Sequence, residues 1–142
     1  MGLIYADIEL TNGDDLALVR RKIMDQDEVK RMRVSALVDT GSYMLAINEN
    51  VQELLQFPVV DSQKAQLANG QIVRCDVVGS VELRFENRAT TCRALVLPGD
   101  SEVLLGAIPL EGMDVIIHPL WQELIVNPDS PDVAIMKMKK AA

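Results

Sequence analysis

Apolar residues recur at every second position through much of the chain, and no other feature constrains the fold as strongly. Ile4, Ala6, Ile8 and Leu10 alternate with Tyr5, Asp7 and Glu9, the spacing of a strand with one buried face. Val34, Ala36 and Val38 repeat the pattern within residues 29–38. Residues 63–67 and 72–78 flank Ala68-Asn69-Gly70-Gln71 and read as a hairpin, because Asn and Gly both tolerate positive φ. Residues 79–85 and 90–97 flank Glu86-Asn87-Arg88 and read as a second hairpin. Residues 103–105, 115–117 and 123–126 read as further short strands. Residues 16–24 read as one more, after a turn at Thr11-Asn12-Gly13-Asp14-Asp15. Many short strands separated by turns point to a sandwich or barrel. Helices are few. Asn48 can cap a helix over residues 48–55, with Val51, Leu54 and Leu55 inward and Pro58 stopping it. Residues 108–112 suit a single helical turn, with Pro109 acceptable near its start.

The chain has 142 residues, the size of one domain. The expected division is a domain over residues 1–126 and a loose C-terminal extension over 127–142, ordered only around residues 133–136. Fourteen Lys and Arg face twenty-one Asp and Glu, a formal net charge of -7. That balance argues against a nucleic-acid partner, which needs a basic footprint, and against a polybasic membrane surface. Aromatic residues make up 4%, too few for base-stacking platforms. No apolar run reaches bilayer length. The beginning of the chain carries Asp7 and Glu9 without a basic end and apolar stretch, so it does not read as a secretory signal. Ala6 stands where a myristoylation signal wants Ser or Thr. The expected location is cytoplasmic, with no membrane partner.

Cys75 and Cys92 are expected to be free and reduced. His118, the single histidine, argues against a His-rich zinc site and a Cys-His nucleophile pair and reads as structural. Asp25-Gln26-Asp27-Glu28 lacks the glycine and terminal glutamate of a calcium loop, so it reads as a solvated turn. No metal and no cofactor is expected. Trp121 reads as a core or interface anchor.

The segment that carries chemistry is Ala36-Leu37-Val38-Asp39-Thr40-Gly41-Ser42. An apolar strand runs straight into an acid. A carboxylate there is costly to desolvate unless it is hydrogen-bonded. Gly41 lets the backbone turn and bring its N–H to that carboxylate, and Thr40 and Ser42 each offer a hydroxyl.

This segment resembles the active-site loop of aspartic peptidases, whose motif is apolar-apolar-Asp-Thr/Ser-Gly-Ala/Ser. Leu104-Leu105-Gly106 is similar to the apolar-apolar-Gly triplet that follows later in that family. Residues 67–72 stand where the family has its flap hairpin, and residues 108–112 where it has a short helix. The resemblance covers residues 3–126 in order. It is greatest to the retropepsin-like branch and its short bacterial homologues. It implies an all-β, closed acid-protease-type barrel with one or two short helices, assembled as a two-fold homodimer. Residues 1–126 would form the peptidase domain.

The implied function is an aspartic endopeptidase acting on a peptide or protein substrate. Such enzymes use two carboxylates sharing one proton. This chain carries one Asp-Thr-Gly and is too short for two, so an active enzyme would draw one Asp39 from each of two chains. The catalytic set implied is Asp39, Thr40 and Gly41. Asp39 would hold and activate the water, Thr40 would hydrogen-bond across the dimer beneath the acids, and Gly41 would donate its N–H to the carboxylate. Ser42 would bond the outer carboxylate oxygen. Ala68, Asn69, Gly70, Gln71 and Ile72 would form the flap tip over an extended substrate. The alternative is a non-cleaving peptide-binding or dimerisation module of the same fold. Two departures stand out. Retroviral members follow the second-motif glycine with Arg and then Asn or Asp, where this chain has Ala107 and Ile108. Their flap is glycine-rich, where this one has Gly70 alone.

Overall fold

The computed structural model describes residues 2–138. Among them the strands are β1 (Tyr5–Asn12), β2 (Arg31–Val38), β3 (Leu45–Asn48), β4 (Val59–Gln66), β5 (Ile72–Phe85), β6 (Arg88–Leu97), β7 (Val103–Leu105), β8 (Val115–His118) and β9 (Glu123–Val126). The helices are α1 (Gly13–Arg20), α2 (Glu49–Leu55) and α3 (Ala107–Met113), with a single 3-10 turn at Gln26–Glu28. None is long and apolar enough to cross a membrane.

Six strands close on themselves in the order β1-β2-β7-β3-β6-β5, with β5 returning to β1 from Glu9↔Arg84 to Asn12↔Val81. The result is the closed barrel expected, but it is mostly β and not all-β, with three short α-helices among the described residues where one or two were expected. Closure removes most free edges. β4 hangs outside the ring on β5, and β8 and β9 form a separate two-stranded ribbon. The alternating apolar residues fill the interior: Ile8, Leu10, Ala36, Leu45, Ile47, Val81, Leu83 and Leu105 are each at most 2% exposed.

The segment read as a strand at residues 16–24 is instead a helix followed by an irregular turn. Asn12, still in β1, accepts hydrogen bonds at its side-chain oxygen from the N–H groups of Asp14 (3.0 Å) and Asp15 (3.1 Å). Asp14 and Asp15 lie in the first turn and Arg20 in the last, the distribution that suits the helix dipole. Leu16, Ala17 and Leu18 are good helix formers. The same Asn12 donates its amide to the Leu55 carbonyl at 2.8 Å, tying α1 to the end of α2.

Helix α2 forms as expected, with the Asn48 side chain accepting from Val51 N–H at 2.8 Å. Leu54 is a correction, being 64% exposed while Val51 and Leu55 are buried. Residues 72–78 and 79–85 are one strand, not two. Gly79 does not break β5, because a register shift between Val78 and Val81 absorbs it. Arg88, read as part of a turn, opens β6 with only 1% of its surface exposed.

Residues 127–138 contain no helix or strand, yet they are tied to the barrel. Asp114 accepts from Ile135 N–H (3.0 Å), the Ser130 hydroxyl and the Asn127 amide (3.0 Å). Arg88 donates to the Ser130 carbonyl.

Candidate active site

β2 and β7 run parallel with Val38 opposite Leu105. At that point the chain leaves the sheet, and Asp39 N–H donates to the Leu105 carbonyl at 3.0 Å. The Asp39 carbonyl accepts from Ser42 N–H at 3.1 Å, closing a tight turn over residues 39–42. Within it the half-buried carboxylate is held at both oxygens. Gly41 N–H donates to Oδ1 at 3.0 Å, and Ser42 Oγ donates to Oδ2 at 2.7 Å. Each oxygen retains a free lone pair.

The second motif supports the first. Gly106 precedes α3, whose opening N–H groups have no partner inside the helix. Ala107 N–H donates to the Ser42 carbonyl at 2.9 Å, and Ile108 N–H to that of Tyr43 at 3.0 Å. The start of α3 thus clasps the Asp39 loop from below. Gly106 lies so close to the loop that only a residue without a side chain fits.

A cavity of about 740 Å³ opens beside Asp39. Gly41, Ser42, Ala68 and Gly70 share its lining, so the strand-end loop and the hairpin tip face one space. The tip is a turn in which Gly70 N–H donates to Leu67 O at 2.9 Å and Leu67 N–H to Gln71 O at 2.8 Å. Left-handed backbone falls on Gly70 (φ 86°) and not on Asn69, the pattern of a turn followed by a glycine bulge. Asn69, Gln71 and Ile72 are exposed on the tip and do not line the cavity. Thr40 is exposed and turns to a different hollow of about 440 Å³, which it shares with Asp39, Leu3, Ile117 and Gln122.

Sequence reasoning did not single out the apolar wall of the larger cavity. Met44, Ala46, Leu95, Leu97 and Leu104 form it, from the loop after Asp39 and from β3, β6 and β7. Their alternation marked them as strand residues but did not say which face meets the site. Among the described residues, Asp39 and Lys64 are the only charged ones in the lining.

Other candidate groups lie apart. Both cysteines are free. Burial, with Glu82 nearby, pushes the Cys92 thiol up to about 12, and burial raises Cys75 as well, so neither is poised as a nucleophile. The carboxylates of Asp25, Asp27 and Glu28 gather within 4.8 Å of one another on the 3-10 turn, all exposed to solvent. His118 accepts two backbone N–H bonds at Nδ1, from Leu120 (3.2 Å) and Trp121 (3.1 Å), which fits the structural role expected.

A carboxylate held at both oxygens, set at a cavity mouth under a hairpin and braced by a Gly-led helix, is an arrangement suited to activating water. No curated relative matches the chain. A family model described as aspartyl protease matches residues 26–107, more than half of the sequence. The match spans both the Asp39 loop and the Leu104-Leu105-Gly106 triplet that braces it, and the chain belongs to the retropepsin-like aspartyl protease family.

Proposed function

We propose that the chain is an aspartic endopeptidase that works as a two-fold homodimer, one Asp39 coming from each subunit. The observation that carries this reading is the Asp39 carboxylate, oriented by Gly41 N–H and Ser42 Oγ and open to the 740 Å³ cavity. One carboxylate per chain supplies half of the required pair. Two such carboxylates at a dyad axis cannot both ionise easily, so they share a proton and titrate as a unit. The ionised member takes a proton from a bound water as the water oxygen bonds to the scissile carbonyl carbon. The protonated member gives its proton to the carbonyl oxygen. Collapse of the resulting diol breaks the C–N bond, with a proton delivered to the leaving amine.

An extended peptide would lie in the cavity beneath the 68–72 tip, its side chains against the apolar wall. Thr40 faces away from this space and is free to bond to its counterpart across the axis. The C-terminal residues 127–142 are an extension of a peptidase domain spanning residues 1–126. The test is cleavage of an unstructured protein such as casein between pH about 3 and 8, the range in which such a pair titrates. It is run with and without a statine-type mimic of the tetrahedral intermediate. Inhibitor-sensitive cleavage supports the reading. A folded dimer that binds the mimic but cleaves nothing would favour the non-cleaving module.

A further inference from the structure

The two-chain peptidase proposed above, on which this assignment rests, requires a second copy to approach Asp39 from the side that the substrate cavity does not occupy. That side is the hollow of about 440 Å³ shared by Asp39, Thr40, Leu3, Ile117 and Gln122. Its outer wall is the β8–β9 hairpin, and the tip of that hairpin projects apolar groups into solvent. Leu120 is 85% exposed and Trp121 67%, with Leu3 beside the same hollow at 71%. We infer that this hairpin tip is the clasp by which a second copy of the chain docks, Leu120 and Trp121 packing against the partner around the Asp39–Thr40 loop.

Charge points to the same occupant. Each copy carries a net -7, so two copies repel unless they meet where charge is sparse. Residues 115–122 contain no Asp, Glu, Lys or Arg, and neither do residues 2–5. Loss of charge with retained aromatic and aliphatic groups is the composition of an interface centre. The tip is also held in shape by its own contacts. His118 Nδ1 accepts the N–H groups of Leu120 and Trp121. Its ring stacks on the indole, with centroids 4.0 Å apart and 12° between planes. A clasp already held in shape loses little entropy on docking.

The chain has one tryptophan, so indole emission reports on this tip directly. Mass by sedimentation and emission are followed together over a dilution series of the full chain, for the wild type, Leu120→Asp and Trp121→Ala. Circular dichroism checks that each variant folds, and Trp121→Ala is read by mass alone. The expected result is a doubling of mass that coincides with a blue shift of the indole. Leu120→Asp should raise the dimer dissociation constant roughly tenfold or more, as loss of an interface anchor does. A dimer whose emission stays that of an exposed indole, and whose affinity both variants leave unchanged, overturns the clasp while the two-chain peptidase stands. A dimer that shows the blue shift but cleaves nothing supports the clasp and counts against the peptidase. A chain that stays monomeric at every concentration overturns both.

Discussion

Gly106 and the Met44 carbonyl oxygen leave no space between them: a Cβ at position 106 would stand 2.4 Å from that oxygen and 2.7 Å from the Ser42 carbonyl oxygen. Both contacts are backbone, so neither can swing away. Gly106→Ala must therefore push the Asp39 loop off the start of α3, breaking the Ala107–Ser42 and Ile108–Tyr43 hydrogen bonds. The expected cost is ~1–3 kcal/mol, as for other overpacked sites, measured by urea unfolding. Cleavage should fall by more than the lost stability accounts for, because the loop that aims Asp39 has moved.

Ser42 holds one oxygen of the Asp39 carboxylate. In Ser42→Ala that oxygen loses its 2.7 Å donor while Gly41 keeps the other. A hydrogen bond to a charged group contributes about 1.5–3 kcal/mol, and about 1.4 kcal/mol is a tenfold change in rate. The variant should fold with near-normal stability and cleave more slowly by roughly tenfold or more, seen as a lower kcat/KM. Ser42→Thr, which retains the hydroxyl, should recover much of the loss.

Asp114 ties the C-terminal segment to the barrel. The N–H of Ile135, the Ser130 hydroxyl and the Asn127 amide hold its carboxyl down to about 2, from an ordinary 3.8, with Arg88 adding to the pull and partial burial opposing it. A depressed folded value means that the stabilisation is complete above about 4 and fades as pH falls toward about 2. The thermal midpoint of the wild type should drop across that window. Asp114→Asn should start lower at neutral pH and show a flatter acid limb.

These residues also mark what the sequence discloses. Alternation revealed most strands because each barrel strand buries one face, and the Asp39 and Gly106 motifs were legible because their chemistry is local. Helix α1 was misread because Leu16–Val19 is an apolar run with no period of its own, and the Asn12 cap that decides it looks like an ordinary turn residue. Gly79 reads as a break, yet a bulge between Val78 and Val81, visible only once β5 is paired with β6, carries the strand through it. The anchoring of Ser130 and Ile135 by Asp114 joins residues 16 and 21 positions apart, and no local pattern signals it. The apolar wall of the cavity likewise depends on which strands close the barrel.

The most direct test of the central claim mixes wild type with Asp39→Asn at constant total protein, after subunit exchange. If each active centre takes one Asp39 from each of two chains, replacing half of the wild type leaves only dimers with two intact acids active. Cleavage should then fall to about a quarter, the square of the wild-type fraction in a two-fold dimer. A fall to about one half would mean that each chain carries a complete centre of its own, and would contradict the shared pair.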